Sequence, residues 1–363
     1  EMSASLVGSE MCIRDRNNMY NITCNTDDNY AQHCNAMLCS LFENNKDEEI
    51  TVHVLCGNLS ETNRQLIKDL SVRYQQQILF HAVDESVLDG VQFRSKRPLT
   101  KAAYYRLLLS SILRDVDKVL YLDCDMIVLG KIKELFDIEL DNYALAAVLD
   151  PMPYNNQHQM QLHLSTETHT FCSGIMLVNL EYWRKNNIES QLLEFAKRKR
   201  EPVYLHDQDV LNYVLKDHWF MLPPKWNHNP VGIQYSPLFR SYHFADSAFC
   251  PAVIHYCSEI FKPWYKAPCP GSKYYKRYLK LSNYPAPRYV TLPVRRHLYC
   301  YYKYIHRMAM KYKPLMPRII VLLIEDMFNL LRLIWYMCIA LSGKKERFVR
   351  LMSNFFIGNR INF

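Results

Sequence analysis

Glycine is scarce, at nine of 363 residues, and no G-x-G-x-x-G follows the first strand-like run. The phosphate-cradling turn of a dinucleotide-binding oxidoreductase is therefore missing. The twelve cysteines form no C-x-x-C pair and show no zinc-ligand spacing. Cys24, Cys56 and Cys124 lie in apolar runs, where a thiol behaves as a small hydrophobe. A reducing compartment suits such a chain better than an oxidising one. No signal-peptide core is present, and no uncharged apolar run reaches the length of about 20 residues that spans a bilayer. Residues 1–18 carry no hydrophobic period and read as a non-native or disordered leader, with Met19 as the natural start.

What is present is a hydrophobic fraction of 49%, enough for a sizeable core and too much for a disordered chain. The net charge of +8 is unevenly spread. From Lys262 to Phe363 there are 20 Lys and Arg against 3 Asp and Glu, while the rest holds 24 against 33. An acidic body joined to a basic tail points to contact with an anionic surface.

The body is organised around residues 117–129. Val119 to Leu122 and Met126 to Leu129 are apolar, and between them stand Asp123 and Asp125. On an extended backbone residues i and i+2 point the same way. Two carboxylates at the end of a buried strand are costly unless paired or metal-bound, and hard oxygen donors suit Mg²⁺ or Mn²⁺. The plainer alternative is a strand-ending turn, in which Asp is common.

Other polar clusters fall at comparable positions. A strand at 20–25 ends at Thr26-Asp27-Asp28-Asn29-Tyr30, before a helix over 31–43. Strands over 50–56, 77–83 and 144–149 alternate with helices over 60–74 and 101–113, the second containing Arg106. Asp150 closes one strand, and Phe171-Cys172-Ser173-Gly174 opens another. A helix over 181–199 and an extended segment at 222–227 flank His206-Asp207-Gln208-Asp209, which precedes a helix over 210–215. His255 ends a last strand-like run. This rhythm predicts an α/β fold with a parallel, Rossmann-type sheet. Each cluster alone is also explained by helix capping, and a lone His255 by a structural role.

The tail differs in kind. Tyrosines interleave with Lys and Arg over 265–313, a pattern that suits either stacking on nucleic acid or a membrane interface. Residues 317–342 decide for the membrane: they are strongly apolar but interrupted by Glu325, Asp326 and Arg332. That favours an amphipathic helix in the membrane plane over a helical pair packed on the body, and no nucleic acid partner is expected.

In this order and spacing, the 26–30 loop, Asp123-Cys124-Asp125, Phe171-Cys172-Ser173-Gly174, His206-Asp207-Gln208-Asp209 and His255 with Lys262-Pro263-Trp264 resemble glycosyltransferase family 8. This retaining family includes the bacterial lipopolysaccharide galactosyl- and glucosyltransferases. The resemblance implies a GT-A fold, a Rossmann-like nucleotide-sugar-binding domain over 19–265, followed by a mainly helical, basic, membrane-associating extension over 266–363. It implies Asp123, Asp125 and His255 as ligands of Mn²⁺ or Mg²⁺. Thr26, Asp27, Asn29, Tyr30, Arg106, Cys124, Ser173 and Lys262 would bind the UDP-sugar donor. Gln208, Asp207 and Asp150 would serve catalysis. The implied reaction moves a hexose from UDP-glucose or UDP-galactose to a cell-surface glycan or glycolipid, at the cytoplasmic face of the inner membrane. Two departures stand out. Cys172 replaces the family's usual Asn, and Ser258 replaces the Gly of H-x-x-G-x-x-K-P-W, with Lys262 one residue late. A sugar-phosphate nucleotidylyltransferase would need a basic, Gly-rich loop where Asp27-Asp28-Asn29 stands. A basic adaptor for membranes or nucleic acid would leave the polar clusters unexplained.

Overall fold

Residues 50–56 alternate little and, His53 apart, are apolar or β-branched, as a strand covered on both faces requires, and seven of the eight residues of the strand Glu49–Cys56 are buried. In the computed structural model this strand, β2, is one of seven in a mixed sheet. The structure describes residues 19–91, 101–150, 164–165, 168–198, 207–230 and 250–312, with Met327 and Leu330. The 1–18 leader, His206 and the amphipathic segment at 317–342, apart from those two residues, lie outside them.

The strands are β1 (Met19–Asn25), β2, β3 (Gln77–Ala82), β4 (Lys118–Leu122), β5 (Met126–Val128), β6 (Leu145–Leu149), β7 (Phe171–Asn179), β8 (Trp219–Leu222) and β9 (Val253–His255). The helices are α1 (Ala31–Asn44), α2 (Glu61–Arg73), α3 (Leu109–Ile112), α4 (Lys133–Phe136), α5 (Leu180–Lys185), α6 (Ile188–Lys197), α7 (Asp207–Leu215), α8 (Ser272–Leu281) and α9 (Val294–Tyr312). The sheet order is β3-β2-β1-β4-β7-β6-β8, and β5 pairs only with β9 in a separate two-stranded sheet.

Three features depart from the expected parallel sheet. β7 runs antiparallel to both β4 and β6. Its entry explains this: the Asp150 amide bonds to the Thr170 carbonyl at 2.9 Å, so the chain re-enters the sheet at the end where β6 left it. Second, the apolar run over 119–129 is two strands, not one. It breaks at Asp123-Cys124-Asp125, and β5 leaves for the second sheet. Third, residues 101–108 form a 3₁₀ rather than an α-helix, the 181–199 helix is broken at Asn187 with φ of 52°, and Pro224–Asn227 is a 3₁₀ turn rather than extended.

Every residue of α1 from Ala31 to Phe42 is buried, as in a helix covered on all sides. The covering element on one side is α8. Tyr275 Oη accepts from Gln32 Nε2 at 2.9 Å and meets His33 Nδ1 at 2.6 Å, and Asn44 Nδ2 donates to Tyr278 Oη at 2.8 Å. The first compact unit runs to Thr291, and the second begins at Leu292. Basic residues on α8 face outward while Tyr275 and Tyr278 are buried, each aromatic side chain contributing about 1.5–3 kcal/mol of apolar burial.

In the second unit, α9 carries Val294, Leu298, Tyr301 and Ile305 along one face, 44–76% exposed, with Arg295, Arg296 and Lys303 on the same helix. Among the described residues no helix is long and apolar enough to cross a membrane.

His33 is stacked on Trp264, with ring centroids 3.6 Å apart, and burial pulls its imidazole down to about 3. A histidine whose folded value lies below its unfolded one charges first in the unfolded chain, so stability is lost as pH falls from about 6.5 toward 3. We expect His33→Gln to flatten the fall in unfolding free energy over pH 6 to 4 by about 1.4 kcal/mol per pH unit, read by urea unfolding. Unchanged slopes in wild type and variant would contradict this account.

Candidate active site

The carboxyl ends of β1 and β4 and the antiparallel start of β7 meet at one place, the position where open α/β sheets bind ligands. β4 delivers Asp123, and the corner between the two sheets delivers Asp125. β9 then returns across about 130 residues of chain. In the β5–β9 ladder Met126 pairs with His255, and the Tyr256 amide donates to the Asp125 carbonyl at 3.0 Å. The register thus sets His255 beside the Asp pair. Its Nε2 lies 3.2 Å from Asp125 Oδ1 and 3.8 Å from Asp123 Oδ2, and one donor atom from each of the three lies within 4.8 Å of the others.

Two residues make this approach possible, and neither was singled out for that role in the sequence. A Cβ on Gly174 would stand 2.4 Å from His255 Cε1 and 2.8 Å from Asp123 Oδ2. Asn227 Oδ1 lies 2.9 Å from His255 Nδ1, which leaves Nε2 for the carboxylates. Such outer partners orient metal-ligating histidines. Asn227 belongs to the turn that precedes the His228–Ile254 bridge, a tertiary pairing with no local signature. Two carboxylates and one imidazole on a shared point suit a divalent cation with hard-to-intermediate donor preference, so the residues present fit the expected ion.

The surrounding side chains balance the buried charge. Arg106 Nη2 donates to Asp123 Oδ1 at 2.8 Å, its Nε stands 3.0 Å from Asp207 Oδ2, and its Nη1 donates to the Ser173 carbonyl at 2.8 Å and to Ser173 Oγ at 3.2 Å. Ser173 Oγ also donates to Asp207 Oδ2 at 3.3 Å. Lys262 Nζ donates to Asp125 Oδ2 at 2.6 Å and to the Tyr256 carbonyl at 2.7 Å, so the late lysine of the departed motif reaches the site. Gln208 Nε2 donates to Asp150 Oδ2 at 2.6 Å while its Oε1 accepts from the Ser173 amide at 3.1 Å.

Protonation follows from these contacts. Burial raises the Asp207 carboxyl to about 6, against the opposing pull of Arg106. Burial pulls His255 down, but the Asp125 carboxylate outweighs it and lifts the imidazole to about 10. Burial alone would raise Asp125, yet Lys262 and His255 hold it well below the usual carboxylate range. Burial likewise opposes the charge on Lys262, and Asp125 restores it above its ordinary value.

The other expected donor residues divide. Asp27 Oδ1 accepts from the Asn29 and Tyr30 amides, each at 3.0 Å, an Asx turn at the mouth of the site. Asn29 is exposed, and the Tyr30 ring packs edge-on against Trp264 at 6.0 Å. Thr26 is buried, its amide bonded to the Leu55 carbonyl at 3.1 Å. The Cys124 thiol turns away from the Asp pair toward Cys24 and Cys34 and donates to the Asn25 carbonyl at 3.2 Å. Cys124 and Asp125 form the turn between β4 and β5 rather than continuing an extended chain. Cys172 Sγ sits 3.9 Å from His255 Nδ1, inside the site where a family Asn was expected.

The α/β sheet thus gathers a carboxylate–histidine cluster, Arg106 and Lys262 at its strand ends. The family model for glycosyl transferase family 8 matches residues 21–267, and the chain belongs to that family. The general stress protein A of Bacillus subtilis (strain 168) is 32% identical over 256 residues, 68% of this chain and 87% of that protein. A lipopolysaccharide 1,2-glucosyltransferase of Escherichia coli is 26% identical, over 69% of this chain and 75% of its own. Among solved structures, the galactosyltransferase LgtC in complex with donor and acceptor sugar analogues superposes with a TM-score of 0.64 at 25% identity, covering 76% of this chain and 98% of that one. The fold is GT-A, and the protein is a glycosyltransferase related to the lipopolysaccharide glucosyl- and galactosyltransferases.

If Asn227 orients His255, Asn227→Ala should weaken Mn²⁺ binding about 10- to 100-fold while the melting temperature in chelator stays close to wild type. Calorimetric titration of Mn²⁺ measures this, and unaltered affinity would remove Asn227 from the account.

Proposed function

We propose that the protein is a retaining hexosyltransferase that moves glucose or galactose from a UDP-sugar to a cell-surface glycan or lipopolysaccharide-type acceptor, with Asp123, Asp125 and His255 holding Mn²⁺ or Mg²⁺. The observation that carries this reading is the convergence of those three side chains beside Lys262 on one flank and Gln208 on the other. A divalent cation bound there supplies positive charge to the diphosphate that leaves the sugar.

The chain's own groups do the rest. Lys262, beside Asp125 at the edge of the trio, would be the point charge available to the departing diphosphate. Arg106 holds Asp123 and Asp207 apart and in fixed orientation, which leaves Asp207 to accept from sugar hydroxyls. Gln208 is locked through both ends of its amide, by the Ser173 amide and by Asp150. An amide oxygen held in place can support positive charge developing at the anomeric carbon, but it is a poor nucleophile. A double displacement would instead use a carboxylate as nucleophile, with two carboxyl groups about 5 Å apart. Asp207 is engaged by Arg106 and Ser173, so the arrangement favours substitution on one face, with the leaving phosphate assisting deprotonation of the acceptor hydroxyl. Asp150, tied to Gln208, lies on the acceptor side of this reading.

Thr26, Asp27, Asn29 and Tyr30, at the end of β1, would line the nucleoside pocket. Ser173 and Arg106 would stand near the donor sugar. The exposed apolar face of α9 between basic residues supports attachment to an anionic membrane, at the cytoplasmic side of the inner membrane.

Two measurements test this. Asp125→Asn should lower Mn²⁺-dependent release of UDP from UDP-glucose or UDP-galactose by roughly 10²-fold or more and abolish thermal stabilisation by UDP with Mn²⁺. Near-normal transfer in that variant would overturn the reading. In sedimentation with vesicles containing anionic lipid, the wild-type chain should pellet and Leu298→Glu/Ile305→Glu should remain in the supernatant. Equal pelleting of both would refute α9 as the contact.

A further inference from the structure

A second group of potential ligands lies behind the first and has no part in sugar transfer. Cys24 on β1, Cys34 on α1 and Cys124 in the β4–β5 corner bring their three sulfurs within 4.8 Å of one another. Cys24 and Cys34 are fully buried and Cys124 is 6% exposed, and all three are free thiols. We propose that Cys24, Cys34 and Cys124 form a binding site for a soft d¹⁰ cation, Zn²⁺ or Cu⁺.

Geometry carries the proposal. With metal–thiolate bonds of about 2.3 Å, sulfurs around one ion stand about 3.8 Å apart in a tetrahedron and about 4.0 Å apart in a trigonal plane. The Cys24 and Cys34 sulfurs are 3.9 Å apart. Soft thiolates select Cu⁺ and Zn²⁺ over the Mg²⁺ and Mn²⁺ suited to Asp123 and Asp125, so two adjacent sites can sort their ions by donor chemistry. Oxygen is at hand for a fourth Zn²⁺ ligand: the Asn25 carbonyl lies 3.2 Å from Cys124 Sγ. Cu⁺ needs only the three sulfurs. On binding, each S–H bond that breaks is replaced by a metal–sulfur bond, its proton passes to solvent, and no electron is transferred. The three residues are 10 and 90 positions apart in the chain, so no spacing motif announces them. Occupancy would pin β1, α1 and the corner bearing Asp123 and Asp125 to one another.

The test uses the full-length chain, reduced and stripped of metal under anaerobic conditions, with saturating Mn²⁺ to hold the carboxylate site. One equivalent of Zn²⁺ is titrated against a chromophoric zinc chelator and, separately, one of Cu⁺ against a colorimetric Cu⁺ chelator. We expect one cation retained per chain, retention cut at least tenfold in Cys34→Ser and in Cys24→Ala, and no change in the exposed-cysteine control Cys250→Ser. X-ray absorption on the wild-type protein should show three sulfur neighbours, with an added oxygen for Zn²⁺ and none for Cu⁺. The wild-type spectrum keeps the proposal testable even where a cysteine variant does not fold. Loss of both cations to the chelators, fewer than three sulfurs around the retained ion, or equal retention in the folded variants would overturn it.

Discussion

The guanidinium of Arg106 lies between Asp123 and Asp207, and the placing of the other charges follows from that contact. Carboxylates below a sheet's surface are tolerated only when their charge is answered at close range. Arg106 answers two at once, its Nη1 donates to Ser173, and its Nε, the atom beside Asp207, is shared with the Ala103 carbonyl. Breaking such a buried pair from one side leaves an uncompensated charge and costs about 3–5 kcal/mol. With Arg106 committed to Asp123 and Asp207, Asp125 must find its own cations, and it finds Lys262 and His255. The result is a division of labour: one cation fixed for architecture, others held where an incoming charge can exchange with them. The 3₁₀ winding of residues 101–108 belongs to the same arrangement, since it is the segment that carries Arg106 to the strand ends.

Much of the site was legible beforehand because it obeys local rules. Asp123 and Asp125 stand between two apolar runs, in the strand-ending turn that was the plainer reading, and the polar residues at 26–30, 150 and 207–208 fall at element ends. His255 was legible only through the family pattern, since nothing around it signals a ligand. Lys262 was expected with reservation after Ser258 replaced the glycine, yet its four-carbon stem spans the displaced residue. Asn227 and the need for a bare Cα at Gly174 were invisible, because both arise from pieces of chain that meet only in the fold.

The fold was less legible where the choice between two outcomes is made far away in sequence. A strand's apolar pattern does not state its direction, and β7 runs against its neighbours because its connection begins and ends on one side of the sheet. The Tyr- and Lys-rich stretch around α8 suits a membrane interface and a packed helix equally. Its tyrosines close over α1, and only the partners at Gln32, His33 and Asn44 reveal it.

The three residue pairs of β5 and β9 have a consequence for how this protein can vary. They clamp the two ends of a long excursion, and that short ladder sets the register that brings His255 beside Asp125. Within that excursion β7 with Gly174 and the turn with Asn227 are held to the site, so change in length or sequence is free only in the connections between such elements, while the metal-competent trio keeps its dimensions. A slip of one residue within the ladder does the reverse, sending the imidazole to the far face and erasing the site with almost no change of composition.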